Sequence, residues 1–419
     1  MPLTRRQFLS VSAAALTALP VRAAPAHGFR RGGSIHSMMN WGMLRDGDPG
    51  RYLPRPFETP RNAFPAALVE DFSRSGFDFI RLTLDVGPFM QLQGADRSAL
   101  EQKLLHNIRL FHDRGLAVIV DCHPVGQVPA YSPQVILEDL EGPAFAGYTA
   151  MIGRLAALLA DIRSGQVMLE LMNEPLMHNA SHRTQVMVWN AAQLVLHDTA
   201  RRAAPDLPLL LTGANYGGIG GLTDLDPSPF IESDTLFSFH YYMPLSFTHQ
   251  GVDMDSADAP TAPYVADLPY PYDAVPADEI AAALEARIAA DPKLDAAGKT
   301  AARKHARQIL DGFLADAWTR ERIASDFAEV EAWADDNDIA RHRIVLGECG
   351  VTRRAHGFTG AAGAYRKSWL SDVTHLAQAS GFGWALWEIN SRTMGIDRPD
   401  DGGRVDQDLV SVLAMSDAL

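Results

Sequence analysis

Eight short apolar runs, each separated from the next by a longer amphipathic stretch, set narrow limits on what this chain can fold into. They cover residues 33–36, 77–84, 116–123, 167–174, 207–213, 236–242, 343–348 and 382–389. Uninterrupted runs such as Ala117-Val118-Ile119-Val120 suit strands buried on both faces, as in a parallel sheet. Helical periodicity fills the intervals, over 144–162, 181–203, 320–336 and 361–379. A further stripe of Leu100, Leu104, Ile108 and Phe111 predicts a helix capped at Asp96 or Ser98 and ended by Gly115. Strands alternating with helices are βαβ units, and eight of them predict a closed (β/α)8 TIM barrel. Such a barrel needs about 250 residues. The 419 residues of this chain therefore carry additional loops. The largest is an insertion after strand 6, residues 251–318. Its first part holds Pro260, Pro263, Pro269, Pro271 and Pro276 and is expected to be irregular; from about Asp278 it reads as helical. One catalytic barrel is expected over 27–419.

The first 23 residues read as an address. Thr4-Arg5-Arg6-Gln7-Phe8-Leu9 precedes a small-residue apolar stretch and an Ala-type cleavage site at Ala23. The paired arginines look like a bacterial twin-arginine signal, which implies export of the folded chain to a periplasmic or secreted location. Two cysteines cannot build a disulfide scaffold. A net charge of −14 argues against a nucleic-acid partner, which would call for a basic face. Beyond the leader no apolar run reaches the ~20 residues of a membrane span, so no permanent anchor is expected. Asp46-Gly47-Asp48-Pro49-Gly50 opens like a calcium loop, but Phe57 stands where the closing glutamate belongs. Gly217-Gly218-Ile219-Gly220-Gly221 fits no phosphate-binding pattern. No metal and no cofactor are expected, and the chain is read as a monomer.

In barrels, chemistry gathers where strands end at their C-terminal side. Those ends here carry Arg81, His123, Asn173-Glu174, His240 with Tyr242, Glu348 and Trp387. A lone glutamate at a strand end usually pairs with the next helix. Two of them, on the fourth and seventh strands and in this company, point to glycosidic cleavage. One carboxyl must be protonated to donate to the leaving oxygen, while the other stays ionised to attack C1. Arg81 and Tyr242 are the groups able to hold the second in its ionised state.

These residues resemble a family. Asn173-Glu174-Pro175, the His240-Tyr241-Tyr242 strand end, Gly347-Glu348 and the late Trp387 look like glycoside hydrolase family 5, with Arg81 and His123 matching its early strands. The likeness spans nearly the whole chain after the leader, and the long insertion departs from the compact family pattern. It implies a retaining endo-β-glycosidase acting by double displacement on a β-linked polysaccharide, β-1,4-glucan foremost. β-Mannan and β-1,3-glucan are the alternatives within the family. A non-catalytic carbohydrate-binding barrel would be expected to lack one of the two glutamates. By the same resemblance Glu174 is acid/base and Glu348 the nucleophile. Asn173 contacts the 2-hydroxyl of the sugar being cleaved. Tyr242 and Arg81 hold Glu348, His123 and His240 line the subsite, and Trp387 is the floor on which the sugar stacks.

Other features are less telling. His36, Asn40 and Trp41, after the first strand, are candidates for a distal glycone subsite. Trp384 reads as core, and Tyr216 is balanced between sugar contact and loop packing. His178, His249, Arg353 and Arg354 read as solvated. Cys122 and Cys349 are expected to face the helices as small buried apolar groups.

Overall fold

The computed structural model describes residues 28–162, 165–254, 261–355, 358–398 and 403–415; the leader expected over residues 1–23 lies outside them. Eight parallel strands form a closed barrel. We number them β1 (Arg31–Met39), β2 (Phe79–Leu84), β3 (Ala117–Cys122), β4 (Val167–Glu170), β5 (Leu209–Thr212), β6 (Thr235–His240), β7 (Ile344–Cys349) and β8 (Gly383–Leu386). Each predicted run overlaps one strand. β1 closes the ring by pairing with both β2 (Gly33 with Ile80) and β8 (Gly33 with Leu386).

Side-chain alternation divides the strand residues into two sets. One set packs outward against the helices and includes Leu82, Val118, Val120, Leu169, Leu211, Phe239, Leu346 and Leu386. The other fills the barrel floor with Phe79, Ile119, Met168, Leu210, Leu236, Val345 and Ala385, plugged by Phe29. The floor is crowded: a Cβ on Gly32 would come within 2.3 Å of the Phe79 ring. Two residues further along the strands the interior turns polar, with Arg81, Asp121, Glu170, Thr212 and Ser238, all fully buried.

The helices follow the predicted periodicity, over Pro143–Leu159, His182–Ala203, Arg320–Asp336 and Gly363–Ala379. The one misjudged start is at Gly94–His112, where Gln93 occupies the N-cap and neither Asp96 nor Ser98 does. Positive φ at Gly94 sets this boundary, a conformation glycine adopts without the steric cost of a Cβ.

The insertion's described proline-rich stretch has no helix or strand and is followed by two helices, Ala277–Ala290 and Ala296–Asp316. Ile280, Leu284, Ile288, Ile309, Leu310 and Phe313 from these helices join the main outer core. The irregular stretch is tied to the barrel by Leu268 N–H to Gln250 Oε1 (2.8 Å) and by the Tyr270 hydroxyl to Asp372 (2.9 Å).

Candidate active site

Strict alternation from the inward Val345 would turn Glu348 out towards the helices. The pairing of β7 prevents this. Leu346 faces Phe239 of β6, yet Glu348 already faces His240, and the β8 register slips at the same place. One extra residue in β7 is a β-bulge, and it reverses side-chain parity beyond it. Gly347 makes the bulge possible. A Cβ there would lie 2.4 Å from Ser238 Oγ and 3.2 Å from His240 Nε2. Glu348 thus points into the barrel, while Cys349 joins Cys122 in the outer core, as expected of both.

Glu174 reaches the same space by another route. The chain leaves β4 at Glu170, and Glu174 has a left-handed backbone with φ +42°. Non-glycine residues hold this conformation only where their surroundings over-determine it. Here Asn173 N–H bonds the Cys122 carbonyl (2.8 Å) and Asn215 N–H bonds the Pro175 carbonyl (3.0 Å), gripping the segment from both sides.

The two glutamates meet at His240. Its Nδ1 lies 3.1 Å from Glu174 Oε1 and 3.7 Å from Glu348 Oε2. One oxygen from each glutamate and a His240 ring nitrogen all fall within 4.8 Å of one another. Among the described residues this is the one grouping of three such donors close enough to hold a metal ion. Glu348 is almost closed off, its side chain 5% exposed, whereas Glu174 keeps 32% of its side chain in the cleft.

The surroundings also fix the charge state of Glu348. Burial opposes the ionised form of Glu348, but His240, Arg81 and His123, with the Tyr242 hydroxyl at 2.8 Å, hold its carboxyl at about 2. Arg81 Nη1 donates to Glu348 Oε1 at 2.6 Å. Arg81 is itself held from behind, with Nε and Nη2 donating to the two oxygens of Glu170 at 2.7 and 2.9 Å. Thr212 also donates to Glu170, at 2.6 Å. Burial pushes Tyr242 well above its usual range, and the charges of Glu348 and Glu174 add to this; its hydroxyl stays protonated and donating. Burial lowers His240, but Glu348 and Glu174 outweigh it, and the imidazole is raised overall.

Arg81, His123, Asn173, Glu174, His240, Tyr242 and Glu348 therefore form one continuous network. Trp387, His36 and Trp41 form a wall joined to it through His123. The His123 ring stacks on Trp387 (centroids 5.7 Å, planes 13° apart), and His36 meets Trp387 edge-on at 4.9 Å. Trp41, 39% exposed at the rim, donates Nε1–H to His36 Nε2 at 2.7 Å. Burial pushes His36 down to about 3, so it stays neutral and able to accept this bond.

Some sequence readings need correction. Asn40 is fully buried and supports the turn, bonding Thr83 and the Trp41 N–H, so it lines no cleft. His249 is not solvated: its ring packs edge-on to Tyr242 at 5.1 Å, and burial pushes it down to about 4. Arg353 is no free surface charge, since it binds the Asp397 carboxylate (2.8 Å) and the Ser391 carbonyl. Trp384 is core, as read, and His178 is exposed. Tyr216 stands 47% exposed after β5, in a run of three left-handed residues from Asn215 to Gly217. Asp121 and Glu170 were missed. Their signal was a charge inside an otherwise apolar strand, two residues before His123 and four before Glu174.

A model of the family described as Cellulase (glycosyl hydrolase family 5) matches residues 61–393, most of the chain. The chain belongs to glycosyl hydrolase family 5. As a member of family 5 it is a glycosidase that acts on O-glycosyl bonds. No curated protein matches it. Solved structures share the family 5 barrel. The cellulose synthase subunit Z of Clostridioides difficile is 19% identical with TM-score 0.61, over 92% of this chain and 99% of that one. Endoglucanase Cel5A of Thermotoga maritima is 17% identical with TM-score 0.63, over 92% and 97%. The family 5 xyloglucanase of Paenibacillus pabuli is 14% identical with TM-score 0.62, over 93% and 99%.

Proposed function

We propose that the chain is a retaining endo-β-glycosidase that hydrolyses a β-glucan, with β-1,4-glucan foremost, by double displacement. The observation that carries this reading is the meeting of Glu174 and Glu348 around His240, with oxygens within 4.8 Å of one another. Direct attack by a carboxylate goes with a separation of about 5–5.5 Å, whereas a water-mediated inversion needs roughly 6.5–9.5 Å. Glu348, held ionised by Arg81 and Tyr242, attacks C1 and forms a glycosyl ester. Glu174 protonates the departing oxygen, then takes a proton from the water that cleaves the ester. Asn173 contacts the 2-hydroxyl, and the Trp387 face receives the apolar C–H face of the sugar.

The choice of β-glucan draws on the structural relatives, which include an endoglucanase and a xyloglucanase; the Thermotoga enzyme is also described with mannotriose. NMR of fresh product should show the β-anomer before mutarotation, and α-anomer first would overturn the mechanism. A panel of β-1,4-glucan, β-mannan and β-1,3-glucan should give its highest kcat/KM on the first. A higher value on either of the others would reassign the substrate while leaving the chemistry in place.

Trp387→Ala should lower kcat/KM about tenfold or more, the equivalent of about 1.4 kcal/mol of lost transition-state binding. Because the ring is half-buried at the mouth and not in the barrel floor, Tm should fall only modestly. Unfolding without a selective kinetic defect would mean that Trp387 packs the core and does not bind sugar.

A further inference from the structure

We propose that Asp121 is a positioning residue. Acting through His123, it fixes the Asn173 amide in the orientation that offers an N–H to the 2-hydroxyl of the sugar being cleaved. This rests on the proposed reading of the site as a glycosidase centre with Asn173 at O2.

The hydrogen-bond roles follow by elimination. A guanidinium only donates, so the Arg81 Nη2 contact at 2.7 Å identifies the Asn173 atom as the amide oxygen. The Asn173 Nδ2 group, which only donates, then faces His123 Nε2 at 3.4 Å. His123 Nε2 must therefore accept, and its proton is on Nδ1. That Nδ1–H donates to Asp121 Oδ2 at 2.8 Å. The same Asp121 oxygen is 3.1 Å from Arg81 Nη2, which closes the loop of four side chains. Asp121 and Arg81 are fully buried, His123 and Asn173 nearly so, and water has little access to substitute for a missing partner.

Burial also fixes the consequence of a break. Without an acceptor at Asp121, the His123 proton is no longer pinned to Nδ1. With the proton on Nε2, two donors would face each other, and the Asn173 amide would be pushed out of its orientation. Partners that orient metal-ligating histidines alter activity by about 10–100-fold when removed, and a loss of that order is expected of Asp121 behind His123.

The test uses 2,4-dinitrophenyl β-cellobioside and its analogue lacking the hydroxyl at C2 of the ring that bears the leaving group. Asp121→Ala should lower kcat/KM on the parent by about 10–100-fold but by less than about threefold on the 2-deoxy analogue, relative to wild type on each. Asp121→Asn keeps an acceptor oxygen and should restore most of the parent activity. Combining Asp121→Ala with Asn173→Ala should be no worse than Asn173→Ala alone. Equal losses on both glycosides would overturn the proposal. Should Asp121→Ala fail to fold, Asp121→Leu, which keeps the volume, takes its place. Failure of both to fold would make Asp121 a purely structural residue, again against the proposal. Glu348→Gln, measured alongside, must be inactive on both glycosides; turnover there would sink the reading of the site itself, whatever Asp121 does.

Discussion

Glu348→Gln should lower turnover roughly 10⁴-fold or more on a β-glucan while leaving the barrel folded. The amide can turn its carbonyl to Arg81 and its NH2 to the Tyr242 oxygen, which can accept, so the steric fit survives. What it loses is the ionised oxygen that, in the proposed double displacement, forms the glycosyl ester. Arg81 keeps its contacts with Glu170 and Asp121, so the guanidinium is not left without partners in the interior. The effect on stability has a defined sign. Glu348 has a folded pKa of about 2 against an ordinary value of 4.5. A depressed carboxyl pKa contributes stability that is present above the ordinary value and lost as pH falls through the folded one. Wild type should thus be favoured over Glu348→Gln at neutral pH, and the difference should shrink between about pH 4.5 and pH 2. Thermal melts of both proteins across that window check it. A gap that widens on acidification would mean that the carboxylate is not held ionised by its neighbours. Substantial turnover by Glu348→Gln on polymer would remove Glu348 from the nucleophile role.

Glu174→Ala should have the second-largest effect, and a more selective one. Without a proton donor, cleavage of a β-glucan should fall by about 10²–10⁴-fold, the usual contribution of a positioned acid or base. An aryl glycoside with a leaving group that needs no proton should still form the Glu348 ester at a rate near wild type. That ester should then accumulate, because no base activates the water, and the progress curve should show a burst. Added azide, which needs no base, should speed turnover and give the β-glycosyl azide. An α-azide, or a variant equally impaired on both substrates, would reject the acid/base assignment. The 32% exposure of the Glu174 side chain, against 5% for Glu348, suits a group that must meet both leaving group and water.

The chain's order of elements was legible because its physics is local. Strands buried on both faces must be apolar along their length, and helices between them must carry a stripe. Each of the eight strands overlaps one of the runs read from sequence, and the residues at their C-terminal ends converge on one site. The candidate glutamates could likewise be read from residue types and their spacing. What local patterning could not supply is which way a side chain turns and what surrounds it. Alternation alone sends Glu348 outward; the bulge at Gly347, visible only in the pairing of β7 with β6 and β8, turns it inward. Arg81 and Glu348 are 267 residues apart, and the Asp121–His123–Asn173–Arg81 loop draws on three strands. Arg353 read as solvated because Asp397 and the Ser391 carbonyl reach it only once β8 has closed the barrel. The charge state of a buried group depends on the sum of burial and nearby charges. Those neighbours come together through barrel closure, so only the tertiary structure decides which of several strand-end carboxylates is held ionised.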